Sequence, residues 1–348
     1  MKPISTISEF LLQAGTQYQV FDLSRGLRVV PTQQFLDIEM AQVAHPTPRQ
    51  QAAWFGIVFI NKQLSQQHYI WFLKLPLDEQ GLVIQAALND FLHIIVTALG
   101  QDLEKAEATN GQLPENPYTF IPNQQQLADF NSASRQQLGL PASQYFTAVQ
   151  DYFADPLEDQ WQALSLQGIS DFAVYTPISE LAEIIRAQLS QLPAPVRTSL
   201  FSSLENIAVN KQISQYLLEW AQQDNTDTRD MAMALRALAQ STATTLVKTF
   251  IQSMLCSEEK VDMDILVVIA GRHWQHLQDS TLLDLFINQL ALHDSDNGLF
   301  NGVFADLVQI PLLRTPLLSI IRQQHKSPAL TKAIGQLFSQ QESSTHGV

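Results

Sequence analysis

The chain has 348 residues, 45% of them hydrophobic and 16% charged, and its 20 Lys and Arg against 34 Asp and Glu give a formal net charge of −14. That length exceeds what one hydrophobic core ordinarily serves, so two or three packing units are expected, and the apolar content excludes global disorder. The negative charge repels phosphate polymers and anionic lipid surfaces, and a single cysteine, Cys256, excludes both an intrachain disulfide and a thiolate metal cage.

Taken in chain order, Ile7, Phe10 and Leu11 fall at helical spacing before Gly15, which predicts a short opening helix. Tyr18 to Leu23 and Leu27 to Val30 read as strands of a hairpin turned by Ser24-Arg25-Gly26. Thr32, behind Pro31, is expected to cap a helix carrying Phe35, Leu36 and Met40. After the loop His45-Pro46-Thr47-Pro48, Trp54 to Ile60 and His68 to Leu75 read as buried strands of a second hairpin, joined by the polar Asn61 to Gln67. Pro76 to Gly81 leads into a long helix, Leu82 to Leu99, ended by Gly100. Residues 1–105 are thus expected to form an α+β domain of two hairpins and about three helices. The opening residues lack a long apolar run with a cleavage site, and the strands fall far short of the roughly 20 apolar residues that span a bilayer. No membrane segment is expected, and the reading is cytoplasmic.

Residues 106–175 are expected to be an acidic linker with helices, since Asp102 to Asp171 holds ten acidic residues against Lys105 and Arg135. Glu107 to Pro122 carries Asn110-Gly111 and three prolines, the punctuation of an exposed connector, and helices are expected near 124–137 and 143–153. From Thr176 the pattern becomes all-helical, and residues 176–340 are expected to form a helical-repeat domain before a disordered tail at 341–348. Helix starts fall near Pro177, Pro195, Lys211, Asp227, Thr242, Lys260, Ser280, Gly298, Pro316 and Pro328, with Thr176, Thr315 and Ser327 as hydroxyl caps before proline. Each segment has one apolar stripe, such as Ile213, Leu217 and Trp220, which neighbours must cover. A stack resembling HEAT or tetratricopeptide arrays satisfies that need, and a compact irregular bundle would also satisfy it.

Glycine-rich phosphate loops, a G-x-S-x-G elbow and an H-E-x-x-H pair do not occur in the chain. His273 and His276, with Asp279 a turn beyond, have minimal metal spacing but fall where a helix should end, so dipole stabilisation is the preferred reading and no metal or cofactor is expected. Cys256, near Glu258 and Glu259, reads as a spectator thiol, and Asp78 and Glu79 read as charges at the positive end of the long helix. The candidate binding surface is in the first unit. If the hairpins share a sheet, Asp22, Arg25 and Arg28 could meet Lys74, Asp78 and Glu79 at one edge, with Trp54, Trp71 and Tyr69 as aromatic anchors. The competing reading places the tryptophans in the core and the charges on a solvated rim. At the far end Arg314, Arg322, Lys326 and Lys332 face no acidic residue between Asp306 and Glu342, making a basic terminal cap.

The segments Tyr18-Gln19-Val20-Phe21-Asp22, Phe35-Leu36-Asp37-Ile38-Glu39, Ala53-Trp54-Phe55-Gly56 and Trp71 through Gly81 resemble a bacterial family known only as domain-of-unknown-function proteins of similar length. The resemblance spans the whole chain, is sharpest from Lys74 to Gly81, and implies a bacterial cytoplasmic protein of one fused architecture without assigning an activity, cofactor or catalytic residue. On function, three expectations stand side by side. The first is a non-enzymatic adaptor or scaffold that binds a protein partner or itself. The second is an enzyme or small-ligand binder at the charged edge. The third is nucleic-acid work of the kind done by helical-repeat DNA glycosylases, which the acidic balance opposes.

Overall fold

The computed structural model describes residues 4–60, 68–100, 114–156, 160–223, 226–257, 261–294 and 298–345. The expected turn at 61–67, the stretch 101–113 of the connector, Glu258 to Lys260 and residues 346–348 lie outside that set. The chain divides into two compact units, one of residues 1–122 with 309–311, the other containing the rest from Asn123 onward.

In the first unit the order is α1 (Ile7–Gln13), β1 (Gln17–Asp22), β2 (Arg28–Val30), α2 (Thr32–Glu39), β3 (Ala52–Ile60), β4 (His68–Pro76) and α3 (Gln85–Gly100). The two hairpins do share one antiparallel sheet, in the order β2-β1-β3-β4. Period-two alternation sorts its side chains: Ala53, Phe55 and Ile57 of β3 and Trp71, Leu73 and Leu75 of β4 face a core completed by Phe35, Ile38, Leu88 and Phe91 from the helices. Each of the Leu, Ile and Phe side chains among them, fully removed from water, contributes about 1.5–3 kcal/mol. Trp71 faces the same core, so it is a core residue and not a surface anchor. Trp54 and Lys74 are directly paired across β3 and β4, and alternation puts both on the opposite face.

Local chemistry explains most boundaries. Thr6 caps α1 by accepting from the Glu9 N–H, and Gly15, at φ 69°, ends the turn behind it. Thr32 is the first helical residue of α2 and not its cap. Pro31 occupies the cap position, and no side chain bonds the free N–H groups there. The Asp78 carboxylate does not reach α3 either: it accepts from the N–H groups of Gln80 (2.8 Å) and Leu82 (2.9 Å), fixing the turn before that helix.

The second unit holds α4 (Gln124–Gln137), α5 (Phe146–Ala154), α6 (Leu166–Tyr175), α7 (Ile178–Gln188), α8 (Ala194–Leu204), α9 (Lys211–Ala221), α10 (Thr228–Ala237), α11 (Thr244–Leu255), α12 (Met263–Arg272), α13 (Ser280–Leu292), α14 (Leu299–Leu307), α15 (Pro311–Arg322) and α16 (Pro328–Thr345). Packing follows every second helix. One layer runs α4, α6, α8, α10, α12, α14, α16, and the other runs α5, α7, α9, α11, α13, each helix touching the next in its own row. Contacts such as α5 with α6, α9 with α10 and α12 with α13 join the rows.

The helices at 124–175 pack into this array and are not a connector between domains. Their acidic residues Asp129 and Asp171 are buried in it. Thr176 ends α6, and Pro177 takes the cap position of α7. Pro316 lies inside α15, which starts five residues earlier at Pro311, so Thr315 caps nothing. Ser327 does cap α16, its Oγ accepting from the Leu330 N–H at 3.2 Å. That helix continues to Thr345 through the first part of the expected tail.

Candidate functional site

Antiparallel pairing brings the end of β1, the start of β3 and the end of β4 to one end of the sheet, through the partners Asp22 with Phe55 and Phe55 with Leu73. The expected charges therefore gather there, but two of them are not on a rim. Asp22 and Arg25 are 7% and 5% exposed and belong to a buried polar knot with Ser24, His45 and Thr47. Thr47 Oγ1 donates to Asp22 Oδ2, the Ser24 N–H donates to Asp22 Oδ1 at 2.8 Å, and Ser24 Oγ lies 3.0 Å from His45 Nε2. Arg25 Nε and Nη2 both donate to the Pro48 carbonyl, at 2.9 and 2.7 Å. Burial pulls the Asp22 carboxyl upward, yet the adjoining His45, Thr47 and Ser24 outweigh it and hold Asp22 below the ordinary range.

Ser24, His45 and Asp22 are the residue types of a hydrolytic triad, but they are not arranged as one. A triad divides serine and carboxylate between the two ring nitrogens. Here Ser24 Oγ and Asp22 Oδ1 (3.7 Å) both approach Nε2, and Nδ1 has no hydrogen-bond partner among the described residues. Ser24, 1% exposed, also accepts the Trp54 N–H at 3.2 Å. The knot positions backbone: through Ser24 it holds the start of β3, and through Arg25 the loop ahead of it.

That loop presents the accessible part of the site. Trp54, half-buried, donates its indole N–H to the Arg49 carbonyl at 3.1 Å, and its ring meets Phe120 edge-on with centroids 4.8 Å apart. Lys74 Nζ stands 4.6 Å and Arg49 Cζ 5.3 Å from the Trp54 ring centroid, both inside cation–π range. Asp78 and Glu79 are exposed just beyond β4.

A second buried carboxylate in this unit, Glu39, was not singled out by its sequence context. It accepts from the Ile7 (2.6 Å) and Ser8 (3.2 Å) N–H groups and from Ser8 Oγ, tying the end of α2 to the start of α1. Burial, only partly offset by these donors, pushes its pKa up to about 7.

The helical unit contains a longer polar ladder that sequence reading also missed. Asp129 of α4 accepts from Ser170 of α6 (2.9 Å), Ser203 of α8 (2.7 Å), Gln125 (3.0 Å) and Asn206 (3.2 Å). Burial raises its pKa to about 7, the neutral donors compensating only in part. Beside it Glu205 is clamped by Arg236 of α10 and Arg272 of α12, the latter at 3.0 Å. Burial opposes its ionisation, but Arg272 and Arg236 hold the pKa below the ordinary value. Asp171, fully buried, receives Ser132 Oγ at 2.6 Å and the Ser143 N–H at 2.8 Å. Serines inside helices are the usable signal, because Ser is a poor helix former unless its hydroxyl has a buried task.

The remaining sequence candidates have structural duties. His273 ends α12 and donates Nε2–H to the Leu235 carbonyl at 2.8 Å, and burial drives its pKa down to about 4. Asp279 caps α13 through the Leu282 N–H and pairs with Lys248 at 2.8 Å. Among the described residues no group of three or more His, Cys, Asp and Glu is placed to hold a metal ion. Arg314 donates to the Val308 carbonyl at 3.1 Å, while Arg322 and Lys332 are exposed and Lys326 is half-buried with its ammonium on the Gln323 carbonyl. Cys256 is exposed at the end of α11. No helix of the described residues is long and apolar enough to cross a membrane.

A family model described as Protein of unknown function (DUF3549) matches residues 2–338. The chain belongs to that family. The match covers both units, as the resemblance of the Tyr18, Phe35, Ala53 and Trp71 segments implied. Comparison with curated proteins and with solved structures returns no match.

Proposed function

We propose that the protein is a non-enzymatic adaptor or scaffold that binds a protein partner or a second copy of itself. In this reading the helical array is a HEAT-like or tetratricopeptide-like surface, and the α+β unit is a second contact. The observation that supports it best is how the array uses its buried charges. Asp129, Asp171, Glu205, Arg236 and Arg272 are turned toward neighbouring helices and bonded there. An array braced in this way presents a fixed outer surface, and a preorganised surface binds with less ordering cost. On that surface Met263 and Val267 of α12, one turn apart, are 46% and 48% exposed. The bacterial cytoplasm is the compartment we assign, on the lone cysteine and the acidic balance.

The enzyme or small-ligand alternative at the sheet end has weaker support, since Asp22 and Arg25 are buried and bonded within the fold. The test is affinity capture from native cytoplasm with cross-links mapped by mass spectrometry. A reproducible partner, or a second copy, should cross-link to the helical unit and be lost from a Met263→Glu, Val267→Glu double variant that still folds. Absence of any reproducible partner and of self-association would overturn the proposal.

A further inference from the structure

The sheet end has a property that would specify what the second contact of the adaptor reading takes. In a chain of net charge −14, the Lys and Arg among the described residues of 4–122 are Arg25, Arg28, Arg49 and Lys74, and all belong to this one end. Arg25 is spent on the Pro48 carbonyl. Lys74 is not spent in that way. Among the described residues it forms no ion pair, and its ammonium rests over the Trp54 ring, on whose edge Phe120 packs while Phe72 lies 5.7 Å from Phe120.

The backbone that builds this place is strained. Arg49 and Ala52 exchange hydrogen bonds, each 3.1 Å, around Gln50 and Gln51, a two-residue turn whose central residues have φ of 52° and 54°. Positive φ at both centres is the geometry that Asn-Gly ordinarily supplies, and it costs about 1 kcal/mol or more at each residue bearing a Cβ. The turn persists because it is held from several sides: Arg25 on Pro48, Thr47 on Asp22, and the Leu77 N–H on the Gln51 carbonyl at 2.8 Å. The result of that outlay is an arginine fixed beside an indole whose other cation is a lysine.

We propose that the Lys74–Trp54–Arg49 stack, with Phe72 and Phe120, is a recognition site for an acidic peptide segment of a partner protein that carries an aromatic or aliphatic side chain between its carboxylates. The Lys74 ammonium over the indole sets the charge of the occupant, and the aromatic faces supply the apolar contact. A nucleic acid offers the same anionic chemistry, but the surrounding charge of −14 opposes a polyanion that extends beyond the site. A short acidic segment responds mainly to charges within a Debye length of about 8 Å at physiological salt.

The inference is independent of the adaptor reading of the helical unit: cross-links confined to the array would leave it intact, and its failure would leave the array proposal unaffected.

The experiment uses the full chain with its five tryptophans replaced by 5-fluorotryptophan, the Trp54 resonance being assigned by its loss in Trp54→Phe. The probes are an oligoglutamate peptide with one central phenylalanine, the corresponding oligolysine peptide, and inorganic pyrophosphate. The acidic peptide should shift the Trp54 resonance saturably, at least tenfold more weakly in Lys74→Gln, with recovery in Lys74→Arg and weakening as salt rises. No shift, or an equal response in Lys74→Gln, overturns the proposal. So does an equal shift from oligolysine, or a response to pyrophosphate in the absence of one to the peptide.

Discussion

Both units bury one carboxylate whose ionised form is favoured and one whose ionised form is disfavoured, and the difference lies in the bonding partners. Asp22 adjoins the His45 ring, with Thr47 and Ser24 donating to it, and Glu205 adjoins the guanidinium groups of Arg272 and Arg236, and the pKa values of both carboxylates fall. Glu39 and Asp129 also receive several hydrogen bonds, but from hydroxyl, amide and backbone N–H groups, and burial pushes both up to about 7. At Glu39 and Asp129 hydroxyl, amide and backbone donors alone do not offset desolvation, whereas the two arginines at Glu205 do. The units also differ in what the bonds join. In the helical unit they connect successive helices of one row, and in the α+β unit they fix loops.

The largest effect should come from removing the carboxylate held by permanent cations. Glu205→Ala leaves Arg236 and Arg272 uncompensated at a site where the Glu205 side chain is 6% exposed, and should cost about 3 kcal/mol in denaturant unfolding of the second unit. A loss under about 1 kcal/mol would show that both arginines reach water instead.

Asp22→Ala should cost about 2 kcal/mol, because it orphans the Thr47 hydroxyl and the Ser24 N–H while His45 loses only a neighbour. An effect equal to that of Glu205→Ala would erase the distinction between an arginine clamp and a histidine neighbour.

Asp129→Asn tests the neutral class. Asp129 has a folded pKa raised above its unfolded value, so its favourable contribution is complete below about pH 4 and is lost as pH rises to about 7. The variant should remove that slope and, at pH 8, raise stability by about 1 kcal/mol, as read from unfolding midpoints at pH 5 and 8. Glu39→Gln should remove the corresponding slope, between about pH 4.5 and 7, in the first unit. Glu205 runs oppositely: its contribution is present above its unfolded pKa of about 4.5 and disappears only in more acidic solution.

The smallest expected change is a gain. Replacing Gln50-Gln51 by Asn-Gly relieves two left-handed backbones and should stabilise the first unit by about 1 kcal/mol in thermal melts, unless another contact of the turn depends on the glutamine side chains.

Much of this organisation was readable in the sequence. Runs of strand-forming and apolar residues between turn signals locate all four strands within a residue or two, Gly15 marks the end of α1, and Ser327-Pro328 marks the start of α16. Lys74 and Trp54 belong to one candidate surface in the sequence, but only the register pairs them across β3 and β4, and only burial shows that Asp22 and Arg25 lie inside that end of the sheet. His45 and Thr47 escaped because a histidine and a threonine between two prolines acquire meaning only when their loop meets the β1–β2 turn, some 20 residues earlier. The ladder escaped for a related reason: Asp129 and Ser203 are 74 residues apart, and helical periodicity identifies the side that is buried without naming the partner row. Pro316 misled because proline normally begins helices, whereas α15 accommodates it within its first two turns.

The alternation of helices between two rows also bears on how the chain is made. Each helix of a row touches the next member of that row, so the contacts within a row close over few intervening helices, and those between rows mostly join helices adjacent in sequence. Loop-closure cost grows slowly with length and is small at that separation. During synthesis, a newly emerged helix therefore finds its seat already built by the helix two places earlier. The exception is α13, which also meets α16 at the carboxy-terminal end.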